Sequence, residues 1–256
     1  MPLWSRIKRS YKYLIVLFWL ILWQLAAEAM DNTIVLVGPV DTAAALLVLV
    51  REKYFWLSVG NTFIKILLGF FSACILGTAT GFAAYKSRIF KEFSAPIISL
   101  MKSIPVASFA VLAIIWLGGS ERLSSFVSFV VVYPMVCVST VSGLESTDKK
   151  LLEMAEIFEV PPIKKLIYIY VPALLPYLIN CIKTAFSMSW KSGVAAELIG
   201  QPVGTIGGNL YQAKIFLDTA SLFAWTFVII LISSLFEKAM LYLPERVNSH
   251  GGSEDK

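Results

Sequence analysis

A single histidine, His250, stands in this chain, and it lies in the polar stretch "NSHGGSEDK" near the C-terminus. A serine–histidine or cysteine–histidine hydrolase inside a membrane is therefore excluded, because its nucleophile needs an imidazole base close by. The pattern G-x-x-x-x-G-K-[ST] is missing, so the chain cannot hold ATP by that loop. H-E-x-x-H is missing too, which removes the commonest zinc hydrolase. The three cysteines, Cys74, Cys137 and Cys181, lie far apart inside apolar segments, with no C-x-x-C. They read as small buried apolar residues, neither a disulfide framework nor a metal site. Charge is scarce as well: 15% of residues are Asp, Glu, Lys or Arg, against about 25% in a soluble domain.

What fills the space is hydrocarbon. Of the 256 residues, 57% are hydrophobic. No single core can hide that much apolar surface from water, so the bilayer is the expected solvent. The length suits one domain. The formal charge of +5 needs no nucleic-acid partner, since basic residues in a membrane protein mainly set orientation.

Apolar runs near 20 residues predict six spans: Tyr13–Ala29, Thr62–Tyr85, Pro96–Leu117 broken by Pro105, Leu123–Val141, Tyr177–Ile199 and Ser221–Leu243. Ala43–Val50 is too short to cross and reads as a short helix at the surface. The first run, with its basic start and "AEA" at Ala27–Ala29, shares features with a secretory signal. It is long for one, carries two tryptophans, and is read as a span. The fold class is all-α, a polytopic membrane protein with six transmembrane helices.

Lysine and arginine alternate between the loops. Arg6, Lys8, Arg9 and Lys12 precede span one; Lys86, Arg88 and Lys91 follow span two; Lys149, Lys150, Lys164 and Lys165 follow span four. The opposite loops carry only Arg51 and Lys53, then Arg122, then Lys214. The positive-inside rule places both termini and the 143–176 loop in the cytoplasm.

That loop, "LLEMAEIFEVPPIKKLIYIYVPALLP" at 151–176, is charged where its neighbours are apolar. Thr147 or Asp148 can cap a helix beginning "KKLLEMAEIF", with Leu151, Leu152, Ala155 and Phe158 on one apolar face. Pro161 and Pro162 stop it, and Pro162 suits the first turn of a second short helix. Pro172 and Pro176 predict a turn before span five re-enters the membrane. Two readings compete: an amphipathic loop resting on headgroups, and a docking knob whose apolar face enters a groove on a soluble partner.

Within the spans, Lys191 is expensive in hydrocarbon, about 2.5–3.5 kcal/mol on insertion scales. It either pairs with a carboxylate or carbonyl of a neighbouring helix or meets an anionic cargo. Glu197 has the right chemistry for a partner but sits six residues on, on the wrong face of the helix. Lys102 and Lys183 lie nearer the cytoplasmic end and Lys65 near the outer end of span two, where each can snorkel. Gly77 and Gly81 form G-x-x-x-G, expected to pack helices within the chain. Pro105 and Pro134 are expected to kink their spans. "QPVGTIGGN" at 201–209 reads as a flexible outer connector.

At the charged loop the chain resembles the permease subunits of ABC importers, specifically the nitrate/sulfonate/taurine type. Their signature runs E-A-A, three residues, G, then about nine residues to a hydrophobic-x-L-P. Glu153-Met154-Ala155 stands for the opening triplet and Val171-Pro172 lies near the closing one. The family's glycine falls on Glu159, which with Val160-Pro161-Pro162 after it is expected to turn by other means. "SIPVASFAVLAIIWLG" (103–118), "VVYPMVCVSTVSGLESTDKKLLEMA" (131–155), "MSWKSGVAAELIG" (188–200) and "VGPVDTAAALL" (37–47) are similar to further family segments. The ordered set, from about 35 to 245, is specific where each piece is weak.

The resemblance implies a permease of the bacterial cytoplasmic membrane. A second permease chain, the same or a close relative, would pair with it. Two cytoplasmic ATPase subunits would dock below and hold the ATP, so this chain needs no cofactor. An extracytoplasmic binding protein would deliver a sulfonate, taurine, nitrate or similar small anion; a pyrimidine vitamin precursor is the alternative cargo. On this reading Glu153, Met154, Ala155, Phe158, Glu159, Pro172 and Pro176 belong to the ATPase-coupling loop, and Lys191, Trp190, Glu197 and Pro105 are candidates for the translocation pathway. An ion-coupled secondary transporter is the rival from another class, and a scaffold without transport is the third reading.

Overall fold

The structure, a computed structural model, describes residues 3–248, and His250 lies outside them. Every regular element in the described residues is helical. In chain order they are α1 (Leu3–Met30), α2 (Pro39–Arg51), α3 (Lys53–Lys86), α4 (Arg88–Ser103), α5 (Val106–Leu117), α6 (Leu123–Glu145), α7 (Lys149–Ile157), α8 (Pro162–Lys165), α9 (Val171–Gly200), α10 (Ile206–Ile215) and α11 (Thr219–Asn248). A π-turn, Leu166–Tyr170, joins α8 to α9.

Glycines in α3 and α6 register the central helices. Gly77 lies against Tyr133 and Val136, and Gly81 against Cys137 and Thr140. A Cβ on Gly81 would stand 2.6 Å from Thr140 Cβ, so only glycine allows this approach. The G-x-x-x-G pair therefore packs inside the chain, as the sequence suggests. Residue numbers rise together along the seam, so α3 and α6 run parallel. Gly143 meets Leu174 and Tyr177, Ser128 meets Gly193, and Leu123 meets Gly200. There the numbers run opposite, so α9 is antiparallel to α6.

Parallel α3 and α6 require a return crossing between them, which α4 and α5 supply. Lys91 of α4 pairs with Glu145 at the end of α6 (2.6 Å). At the other level Lys65 of α3 pairs with Glu121, just before α6 (3.0 Å). The two helices bend by 109° at Ile104–Pro105. Five helices are each long and apolar enough to span a membrane, and the bent pair makes the sixth crossing. The third span expected as a kinked rod is thus two helices at an elbow. Pro105 lacks an N–H for the ladder and forces Ile104 out of the helical region (ψ 126°).

Phe55 stacks on Trp225 and Phe63 lies beside Phe236, so α11 follows the direction of α3. α1 ends at the level where α11 begins, with Thr219 Oγ1 donating to the Ile34 carbonyl (2.7 Å). The main core gathers Ile66, Phe70, Val132, Val136, Phe186 and Trp190 from α3, α6 and α9. Trp190 is fully buried, and its indole N–H donates to the Ile229 carbonyl (3.2 Å). Outward-facing Leu68, Ile75 and Ile115 stay exposed, as residues solvated by acyl chains do.

Two further expectations are corrected. Pro172 and Pro176 do not turn the chain: Pro162–Gly200 runs as one apolar helical stretch of 39 residues. The π-turn absorbs the missing donor, with the Val171 N–H reaching back to the Leu166 carbonyl, so Pro172 enters near the start of α9 and not inside an α-ladder. The segment 201–209 is no flexible connector either. Only 201–205 is a turn, and α10 starts at Ile206 with Thr205 as its N-cap, accepting from the Gly208 N–H (3.1 Å).

Candidate functional sites at the charged loop, the C-terminal end of α9 and the elbow groove

Asp148 caps α7, its carboxylate accepting from the Lys150 N–H at 2.9 Å. The helix ends in a Schellman motif: the Val160 N–H reaches the Ala155 carbonyl (2.9 Å) and the Glu159 N–H the Glu156 carbonyl (3.1 Å). Glu159 occupies the left-handed position at φ 49°. The loop therefore makes the left-handed turn that a glycine would favour, using a glutamate. The two closing hydrogen bonds and the prolines that follow hold Glu159 where a free glutamate would rarely go.

Glu159→Gly is accordingly expected to stabilise the loop slightly. The relief at positive φ, about 1 kcal/mol, is largely offset by the greater unfolded-state freedom of glycine. Thermal unfolding in detergent should show Glu159→Gly equal to or slightly above wild type. A clear loss would mean that the glutamate side chain is itself needed.

The open face of α7 differs from the one expected. Ala155 is fully buried and Leu152 half-buried, whereas Leu151, Met154, Ile157 and Phe158 point outward. Phe158 is 74% and Ile157 79% exposed. Ile163 extends the patch past the prolines. Glu153, Glu156 and Glu159 surround it as an exposed acidic rim. Pro172 and Pro176 are exposed along the helix that carries the loop into α9. Ala155 sits one residue past Met154 and turns inward against the body, so the sequence pattern alone assigned it the wrong side.

A second constellation lies at the C-terminal end of α9. Glu197 is fully buried. Its Oε2 accepts from Thr62 Oγ1 (2.8 Å) and the Gly207 N–H (3.2 Å), and Thr62 Oγ1 accepts in turn from the Ile206 N–H (2.9 Å). The carboxylate thus ties α9 to α3 and to the first turn of α10, whose free N–H groups favour negative charge. A Cβ on Gly207 would run into the Glu197 backbone, so the close approach depends on that glycine. Trp190 and Glu197, both candidates for the pathway by sequence, are packed inside the chain and face no opening. The signal missed in the sequence was Thr62 with "TIGG" at 205–208, which only folding brings to Glu197.

The third constellation is a groove. A cavity of about 390 Å³ between α4 and α6 is lined by Lys91, Ser94, Ser99, Lys102, Ser142 and Glu145, among others. A neighbouring cavity of about 190 Å³ under the elbow is lined by Lys102, Val106, Phe109, Val130, Pro134 and Met188, among others. Pro105 is exposed at the elbow itself. Lys191 is exposed on α9, one turn beyond Met188. It makes no hydrogen bond or ion pair with Glu197. Among the described residues no group of His, Cys, Asp and Glu could hold a metal ion.

Comparison with known proteins agrees with this architecture. The family profile described as "Binding-protein-dependent transport system inner membrane component" matches residues 65–249. The taurine transport system permease protein TauC of Escherichia coli (strain K12) is 25% identical over 235 residues, covering 90% of this chain and 85% of its own. The putative aliphatic sulfonates transport permease protein SsuC of Bacillus subtilis (strain 168) is 25% identical over 189 residues, covering 72% of this chain and 68% of its own. A chain in the crystal structure of a bacterial alginate ABC transporter, in complex with an alginate pentasaccharide-bound periplasmic protein, superposes with a TM-score of 0.65. It covers 96% of this chain and 98% of that one at 13% identity, a likeness of fold.

Proposed function

Because this chain belongs to the binding-protein-dependent transport system inner membrane components, and so is the permease of an ABC importer, we propose that it forms the translocation pathway for a small anion of the sulfonate, taurine or nitrate kind. The names of the taurine and aliphatic sulfonate permeases to which it is similar support that cargo class. The working assembly proposed pairs it with a second, identical permease chain. An ATPase dimer binds on the cytoplasmic side and a substrate-binding protein on the outer side. Both termini are cytoplasmic, on the strength of the lysine and arginine bias in the loops.

The observation that carries the coupling role is the exposed patch of Met154, Ile157, Phe158 and Ile163 at the root of a helix that continues without a break to Gly200. An apolar helix face rimmed by glutamates suits a groove on a soluble partner. The helix passes any displacement of the patch to the level of Lys191. ATP-driven closure of the partner subunits then biases a two-state permease, because the contacts made in the two states differ. ATP binds and is hydrolysed in the partner, and this chain carries no step of that chemistry.

Reconstitution tests the proposal. The permease, its ATPase and its binding protein in proteoliposomes should take up labelled taurine or nitrate only when ATP is supplied on the ATPase side. Uptake by the permease alone, driven by an ion gradient, would instead favour a secondary transporter. Binding of the ATPase without uptake of any cargo would leave a scaffold.

A further inference from the structure

Helical spacing gathers the exposed residues of α9 on one side. Asn180, Thr184, Met188 and Lys191 fall within an arc of about 80° at 100° per residue, and all four are exposed in the single chain. The Thr184 hydroxyl donates to the Asn180 carbonyl (3.4 Å) and tolerates either surrounding, but an amide and an ammonium group along a membrane-spanning helix do not face acyl chains, because hydrocarbon leaves them unsolvated. This side of α9 therefore faces water or protein. Met188 links it to the elbow groove, since it also lines the smaller cavity together with Lys102.

The charge balance of the groove is positive. Glu145 is the carboxylate lining the larger cavity, and Lys91 already holds it at 2.6 Å. Lys102 makes no ion pair or hydrogen bond among the described residues, and neither does Lys191. Lys102 lines both cavities, on the inner side of Met188 near Cys137 and Val138. Lys191 stands on the outer side of Met188, toward the end of α9 at Gly200. Lys191 itself lines neither cavity, and the two lysines thus lie at successive depths on either side of Met188.

We propose that Lys102 and Lys191 are two successive cationic stations for a small oxyanion, Lys191 on the outer side and Lys102 at the elbow, along the groove between α4–α5 and the polar side of α9. The assignment rests on the anion reading given under Proposed function and names the residues that would serve it. Two separated cations hold an anion less tightly than one paired site, which lets cargo leave as well as enter. The elbow at Ile104–Pro105 puts the inner station at a bend, where a change of angle moves Lys102 relative to Lys191.

Two measurements test it. In proteoliposomes containing the ATPase and the binding protein, Lys102→Met and Lys191→Met should each raise the KM for taurine or nitrate about tenfold, as loss of a charge-assisted contact does. Lys→Arg at either position should restore it substantially, which a mere packing role would not allow. The second measurement needs no cargo. In a C74A/C137A/C181A background, Lys102→Cys should react about fivefold faster with an anionic thiosulfonate than with a cationic one, relative to free thiol, and adding Lys191→Met should shrink that preference. No reaction, or equal relative rates in both backgrounds, overturns the proposal. So does taurine or nitrate uptake unaffected by both methionine substitutions, and in that case the anion importer reading stands. If wild type carries neither anion while the labelling preference holds, the cargo assignment fails and the cationic path stands.

Discussion

Phe158→Asp should leave the permease folded and inserted but abolish its capture of the ATPase subunit. The ring is 74% exposed, so the free protein loses almost no packing when it is replaced. In the complex the same ring would leave water for an apolar groove, a transfer of about 2 kcal/mol, and the aspartate would bring a charge to that groove at a further cost of several kcal/mol. The sum corresponds to a loss of affinity on the order of a thousandfold, enough to empty a pull-down. Ile157→Asp should behave the same way. Ala155→Arg should not: Ala155 is fully buried, and an arginine there must first break the loop apart. Pull-down of the ATPase beside thermal unfolding in detergent separates the cases. Normal capture by both Phe158→Asp and Ile157→Asp would rule out this face as the docking surface.

Glu197→Ala should lower stability by about 2–4 kcal/mol, which for a chain of this size is roughly 5–15 °C in the unfolding midpoint. Removing the carboxylate strands the Thr62 hydroxyl and the Gly207 N–H in a buried site and opens a cavity between α9 and α10. Glu197→Gln keeps a side-chain oxygen for both donors and should cost about 1 kcal/mol or less. If the alanine variant unfolds within about 1 °C of wild type, the carboxylate does not hold α9, α3 and α10 together. A glutamine variant as damaged as the alanine one would mean that the negative charge beside the start of α10 matters more than the two hydrogen bonds.

The readings that needed only period and composition hold. Thr62–Tyr85, Leu123–Val141, Tyr177–Ile199 and Ser221–Leu243 all lie within α3, α6, α9 and α11, because a run of about 20 apolar residues has few other places to be. The N-cap, offered by the sequence as Thr147 or Asp148, is Asp148, but α7 stops at Ile157 through its Schellman turn before Pro161 and Pro162 are reached. Pro172 misled because a helix can widen by one residue just ahead of it, and Pro176 is carried inside α9 without ending it. That adjustment depends on the register of the turns around it and not on the proline alone. Glu159 misled in the same way: its left-handed φ is imposed by closing bonds from Ala155 and Glu156 and is not a preference of glutamate.

The sequence by itself determined that the chain lives in a bilayer, crosses it with helices, holds no ATP loop and exposes a proline-bounded charged segment between two spans. Those properties follow from hydropathy, spacing and the presence or absence of short motifs, all of them readable within a few turns of chain. Only the tertiary structure decided that Glu197 and Trp190 turn inward, that Ala155 is buried beside an open Phe158, and that Lys102 shares a groove with Met188 of α9. A helix shows every residue to some side. Which side is covered depends on neighbours distant in sequence, as when Gly81 admits Thr140 or Thr62 reaches Glu197.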